Sequence, residues 1–136
     1  MILVDTNVVI DVATLDPVWF EWSGTQIANA TATDGRVVIN EIVYAELSVR
    51  CADRNALDTA LKGCGLSLVR TPRAALFLAG KTFVRYRRAG GVRTGMLPDF
   101  FIGAHAVIAG VPLITRDMQR LHAYFPDIEL ISPDRN

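Results

Sequence analysis

Ile2-Leu3-Val4-Asp5-Thr6-Asn7 is a solid apolar run that stops at an acid. Runs that are apolar throughout, and do not alternate, suit strands covered on both faces. Four more follow: Val37-Val38-Ile39 behind the turn signal Asp34-Gly35, Leu66 to Val69, Val111 to Ile114, and a weaker Ile128 to Ile131. Between them the apolar spacing predicts helices over Thr6 to Val12, Val18 to Thr33, Glu41 to Arg50, Arg54 to Lys62, Pro72 to Arg88, Pro98 to Ala109 and Met118 to Tyr124. Asn40 and Asp53 suit helix caps, because a short side-chain oxygen can accept from the first free N–H groups. Pro72 and Pro98 suit first-turn positions, where a missing N–H costs nothing. Strand–helix alternation predicts an α/β domain with a mostly parallel sheet and helices on both faces.

Composition agrees with that reading. The 136 residues carry 14 Lys and Arg against 14 Asp and Glu, with 51% apolar residues, which suits a single domain over residues 1–136. Low hydrophobicity with high net charge, the signature of disorder, is absent. A mean hydropathy of +0.28 points to a well-filled core or to apolar surface meant for a partner. The longest apolar stretch, Phe100 to Ile114, is short for a membrane span and holds His105, two glycines and Pro112. The start, MILVD, lacks the basic segment of a signal peptide, so a cytoplasmic location is expected. Cys51 and Cys64 have no CxxC spacing and are expected to be two buried thiols. Arginine outnumbers lysine, and Arg70, Arg73, Arg85, Arg87, Arg88 and Arg93 lie close together. The balanced total makes any nucleic-acid affinity local.

Four acids carry the chemical signal. Asp5 ends the first strand and Asp117 follows the fourth, and ligands of open parallel sheets bind at the carboxyl ends of strands. Either residue equally suits a cap for the helix that follows it. On a helical wheel with Ile42 at zero, Glu46 lands at about 40°, inside an apolar arc with Val43, Leu47 and Val49, while Glu41 and Ser48 fall opposite. A carboxylate turned inward must be paired, protonated or metal-bound. Asp99 opens a helix apolar nearly all round, where the helix dipole also favours an acid. If the strands ending at Asp5 and Asp117 are neighbours, their carboxylates converge, and like charges sharing one cleft need a cation or shared protons. All-oxygen ligation selects hard ions, Mg²⁺ or Mn²⁺, which keep waters and engage phosphates.

Other chemistries find little support. There is no GxGxxG, no phosphate-binding GxxxxGK[ST] loop and no GxSxG elbow. His105 sits mid-helix among apolar residues and reads as a core histidine; His122 reads as exposed. Trp19, Phe20 and Trp22 read as packing residues more than as a base-stacking platform.

With its four acids in place, the sequence resembles the PIN-domain ribonucleases, and among them the VapC-type toxins of toxin–antitoxin pairs. The matching strings are VDTNVVID from Val4, NEIVYAEL from Asn40, LPDFFIGAHAVIAG from Leu97 and LITRD from Leu113, in family order. The resemblance implies a three-layer α/β/α sandwich with a central parallel sheet. It implies that Asp5, Glu46, Asp99 and Asp117 hold one or two Mg²⁺ or Mn²⁺ ions. Thr6 and Thr115 would support the acids or their waters, and Asn7 takes a polar position near the site. Ile102 and Gly103 stand where some members carry a further acid, which leaves the four-acid set. The resemblance also implies homodimers, and a cognate antitoxin whose tail covers the cleft and often places a basic side chain in it.

The resulting expectation is a metal-dependent endoribonuclease that cleaves RNA phosphodiesters with activated water; Arg93 is a candidate phosphate contact or a solvated loop charge, and Arg116 a candidate phosphate contact or, the favoured reading, an ion-pair partner. One alternative is a catalytically weak PIN-like binding module that acts mainly within an antitoxin complex. Another is a phospho-acceptor domain, which usually wants a lysine after a late strand, and neither Lys62 nor Lys81 sits there.

Overall fold

The computed structural model of the protein describes residues 1–92, 95 and 97–133. Five short strands, β1 (Ile2–Val4), β2 (Val37–Asn40), β3 (Leu66–Val69), β4 (Leu113–Ile114) and β5 (Leu130–Ile131), form one sheet in the order β3-β2-β1-β4-β5. Every pairing is parallel. The helices are α1 (Thr6–Ala13), α2 (Phe20–Thr33), α3 (Glu41–Ser48), α4 (Arg54–Gly63), α5 (Arg73–Arg88), α6 (Pro98–Ala109) and α7 (Met118–Tyr124). The expected α/β/α architecture with a central parallel sheet is therefore the observed one.

The chain first lays strands outward from β1 to β3, then returns to the other side of β1 for β4 and β5. The order reverses between β1 and β4, and in such sheets a crevice opens at the carboxyl ends of the two strands. Register puts Leu3 opposite Leu113 and Val4 opposite Ile114. The next residue of each strand, Asp5 and Thr115, thus emerges side by side.

Burial follows strand position. β1, β2 and β4 lie in the middle of the sheet and are wholly buried. β3 and β5 are edges, and Leu68 is 52% exposed. Two-sided burial, expected of all five apolar runs, holds for the three central ones only. The fourth run pairs over two residues where four were expected. Pro112 has no N–H to give the ladder, and the Val111 N–H is spent on the Ala106 carbonyl behind α6 (3.1 Å). In the fifth run the Ile128 N–H turns back to the Phe125 carbonyl (3.1 Å), so pairing starts at Leu130.

Helix ends show the same local logic. Asn40 Oδ1 accepts from the N–H groups of Ile42 and Val43, and Asp53 Oδ1 from that of Ala56, so both expected caps are formed. α2 begins two residues later than expected, because Asp16 Oδ1 takes the N–H groups of Val18 and Trp19 into a turn. α3 ends at Ser48, which leaves Val49 off the helix and 85% exposed; its place in the apolar arc is corrected accordingly. Pro72 is the cap residue of α5 rather than its first helical residue. Gly110, at φ +66°, closes α6 in the left-handed conformation that glycine tolerates without strain.

α6 packs against α3, α5 and α7 and carries the largest fully buried side chain, Phe100. Tyr124 meets the Phe100 ring edge-on at 4.7 Å between centroids, and Phe83 and Tyr86 flank it. His105 is buried as expected, with Nδ1 3.2 Å from Asn40 Nδ2. Because Asn40 Oδ1 is committed to capping α3, its Nδ2 must donate and His105 Nδ1 must accept. Burial lowers the His105 pKa and favours that neutral form.

Gly103 lets α6 and α7 close up: a Cβ there would lie 2.4 Å from the buried Phe125 ring. Gly103→Ala is therefore expected to lose about 1–3 kcal/mol, read from urea unfolding, despite the better helix propensity of alanine.

Candidate active site

Helices that follow parallel strands begin at the carboxyl edge of the sheet, and this edge collects the four acids. Asp5 leaves β1 and caps α1: its Oδ1 accepts the Thr6 N–H at 2.7 Å. Its Oδ2 accepts the Thr115 hydroxyl at 2.7 Å, across the β1–β4 boundary, and the Asn7 amide at 3.3 Å. Thr115 in turn accepts the Asp117 N–H at 3.0 Å. Glu46, a turn and a half into α3, accepts the Thr6 hydroxyl at 2.5 Å. Asp99 in the first turn of α6 and Asp117 at the cap of α7 share one guanidinium, that of Arg120, at 2.7 and 3.2 Å.

Asp5 is 5% exposed. Burial raises its pKa from 3.8 to about 6, and the charges of Asp99 and Glu46 push the same way. Hydrogen bonds from Thr115 and Thr6 hold it back. A buried carboxylate pressed by two others is short of positive charge, and the groups beside it able to ligate a metal, the Glu46 and Asp99 carboxylates and the Thr115 hydroxyl, all present oxygen. That donor chemistry fits a hard divalent ion. Among the described residues, no three Asp, Glu, His or Cys side chains ring one ion as they stand.

Arg116, a candidate phosphate contact or ion-pair partner, is found in an ion pair. Its Nε and Nη2 donate to the two Asp11 oxygens at 2.7 and 3.0 Å, and its guanidinium lies 5.0 Å from the Trp19 ring centre. Ser23 donates to the same Asp11 at 2.7 Å, which leaves a 2%-exposed carboxylate fully paired. The Arg116 backbone N–H reaches Asn7 at 3.4 Å, which links this pair to the acidic edge. Arg93 lies outside the described residues. Asp11 and Arg120 were not singled out from the sequence. Asp11 lies four residues after Asn7, on the same face of α1, and Arg120 three after Asp117; those spacings were the available signals. One helical turn beyond Arg120, a cavity of about 470 Å³ opens between α5 and α7, walled by Arg85, Tyr86 and Tyr124.

Two outcomes follow. For Asp5 the folded pKa is above the unfolded one, so its contribution to stability is full below pH 3.8 and is lost as pH rises through about 6. In EDTA, the stability of Asp5→Asn relative to wild type should therefore rise by on the order of 3 kcal/mol between pH 3.5 and pH 7.5, measured by urea unfolding. Asp11→Asn and Arg116→Gln should each cost about 2 kcal/mol, with a double variant no worse than either alone, because each strands the other partner.

The sequence profile of the PIN domain family matches residues 2–125. No curated protein sequence matches the chain. Among solved structures, a chain of VapBC2 from Rickettsia felis bound to a promoter DNA fragment superposes with a TM-score of 0.72 at 18% identity, over 98% of this chain and 100% of that one. A chain of DNA-bound VapBC from Salmonella typhimurium gives 0.68 at 20% identity, over 96% of each. One of FitAcB from Neisseria gonorrhoeae gives 0.67 at 19%, over 98% of each. These likenesses speak for the fold, and the profile match speaks for the lineage: the chain belongs to the PIN domain family.

Proposed function

We propose that this chain is a divalent-metal-dependent endoribonuclease that acts as the toxin of a cytoplasmic toxin–antitoxin pair. The observation that carries the reading is the buried Asp5 carboxyl at the β1–β4 crevice, with its pKa raised partly by the charges of Asp99 and Glu46. Membership of the PIN family and the likeness to chains of VapBC and FitAcB structures support it. An antitoxin is the expected partner, and a second copy of the chain is expected beside it.

Asp5, Glu46, Asp99 and Asp117 would hold Mg²⁺ or Mn²⁺. When bound, such an ion supplies Lewis-acid activation of water and neutralises charge that builds at the phosphate. The chain's own residues prepare that step. Thr115 and the Thr6 N–H fix both Asp5 oxygens, so the carboxylate does not rotate away. The Thr6 hydroxyl orients Glu46 toward the same edge. Asn7 ties Asp5 to the backbone of Arg116, and the Asp11–Arg116 pair braces the start of the loop that carries Asp117. The cavity walled by Arg85, Tyr86 and Tyr124, one helical turn beyond Arg120, would offer aromatic and basic side chains to a single RNA strand.

Purified chain free of any antitoxin should cut cellular RNA with Mg²⁺ and leave it whole with EDTA. Asp99→Asn should lose about 100-fold or more of that activity. Induction of wild type, but not of Asp99→Asn, should arrest growth. Cleavage that persists in EDTA, or at full rate in Asp99→Asn, would refute the reading.

A further inference from the structure

Among the described residues, Arg120 is a cation that this chain itself places between two of the acids. Its Nη1 donates to Asp99 Oδ2 at 2.7 Å and its Nε contacts Asp117 Oδ2 at 3.2 Å. Its backbone N–H donates to Asp117 Oδ1 at 3.3 Å. The side chain is 53% exposed, while Asp99 is only 17% exposed. It thus reaches from solvent into the acidic edge and spans two acids on different helices. One positive charge there reduces the mutual repulsion of four converging carboxylates, so the edge can stay assembled without a metal.

We propose that Arg120 is a resident counter-ion: it occupies the Asp99 and Asp117 oxygens in the metal-free chain, yields them to the divalent ion, and then holds a phosphate of the RNA strand. This rests on the metal-dependent nuclease reading above. The competition is direct, because the oxygens that Arg120 takes are those a hard ion would take. The exchange is cheap for the arginine, since a half-exposed ion pair is weak against water. Once displaced, the guanidinium stays at the rim of the crevice on the first turn of α7. There its planar fork suits a phosphate better than a point charge does.

The test compares wild type, Arg120→Gln and Arg120→Lys as full chains. Mn²⁺ binding is measured by calorimetry without RNA, and KM for a single-stranded RNA is measured at saturating Mg²⁺. Arg120→Gln is expected to bind Mn²⁺ about 5–20-fold more tightly and to show a KM raised by at least about 5-fold. Arg120→Lys should fall between on both measures, as a charge without the fork. An Mn²⁺ constant that is unchanged or weaker in Arg120→Gln, or an unchanged KM, overturns the proposal while leaving the nuclease reading intact. Absence of Mn²⁺ binding in wild type and both variants sinks the metal-dependent reading itself, and the counter-ion role with it.

Discussion

The Thr115 hydroxyl reaches the Asp5 carboxylate at 2.7 Å across the ends of β1 and β4, and the rest of the edge is arranged around that bond. A carboxylate that is 5% exposed survives only if its oxygens are supplied with donors. Asp5 finds three, from Thr6, Asn7 and Thr115. The first two come from its own helix, but the third comes from a residue 110 positions away. Burying this acid therefore demands that β1 and β4 be neighbours in one register, Val4 opposite Ile114. A slip by one residue would turn the Thr115 side chain to the other face of the sheet.

Around this bond the chain uses two arginines in opposite ways. Arg116 lies over Trp19 and is locked to an almost fully buried Asp11 through two parallel contacts. Such a pair contributes little net stability but penalises its own disruption, which makes it a brace. Arg120 is half-exposed, and its partners belong to the acidic edge. The same chemical group is structural where water is excluded and exchangeable where water competes. The two positions are four apart in sequence; solvent access separates their roles.

Several features were legible from residue order because they depend on neighbours in the chain. Asn40 and Asp53 cap helices through contacts two or three residues away. The solid apolar runs marked all five strands, and the central three are buried as that pattern demands. Glu46 was marked by its wheel position, and it does turn toward Thr6. The buried acid that is paired with an arginine is Asp11, whose partner Arg116 lies 105 residues away. Val49 misled the wheel because a helix period says nothing of where the helix stops.

The local code thus specified the alternation of strands and helices and which acids stand at element ends, since both arise from periodicity and capping within a few residues. Strand order, the meeting of Asp5 with Thr115, and the sharing of Arg120 between Asp99 and Asp117 came only with the folded chain. Those contacts join segments with no sequence relation, and they exist because sheet register and the packing of α6 on α7 bring the segments within hydrogen-bonding reach.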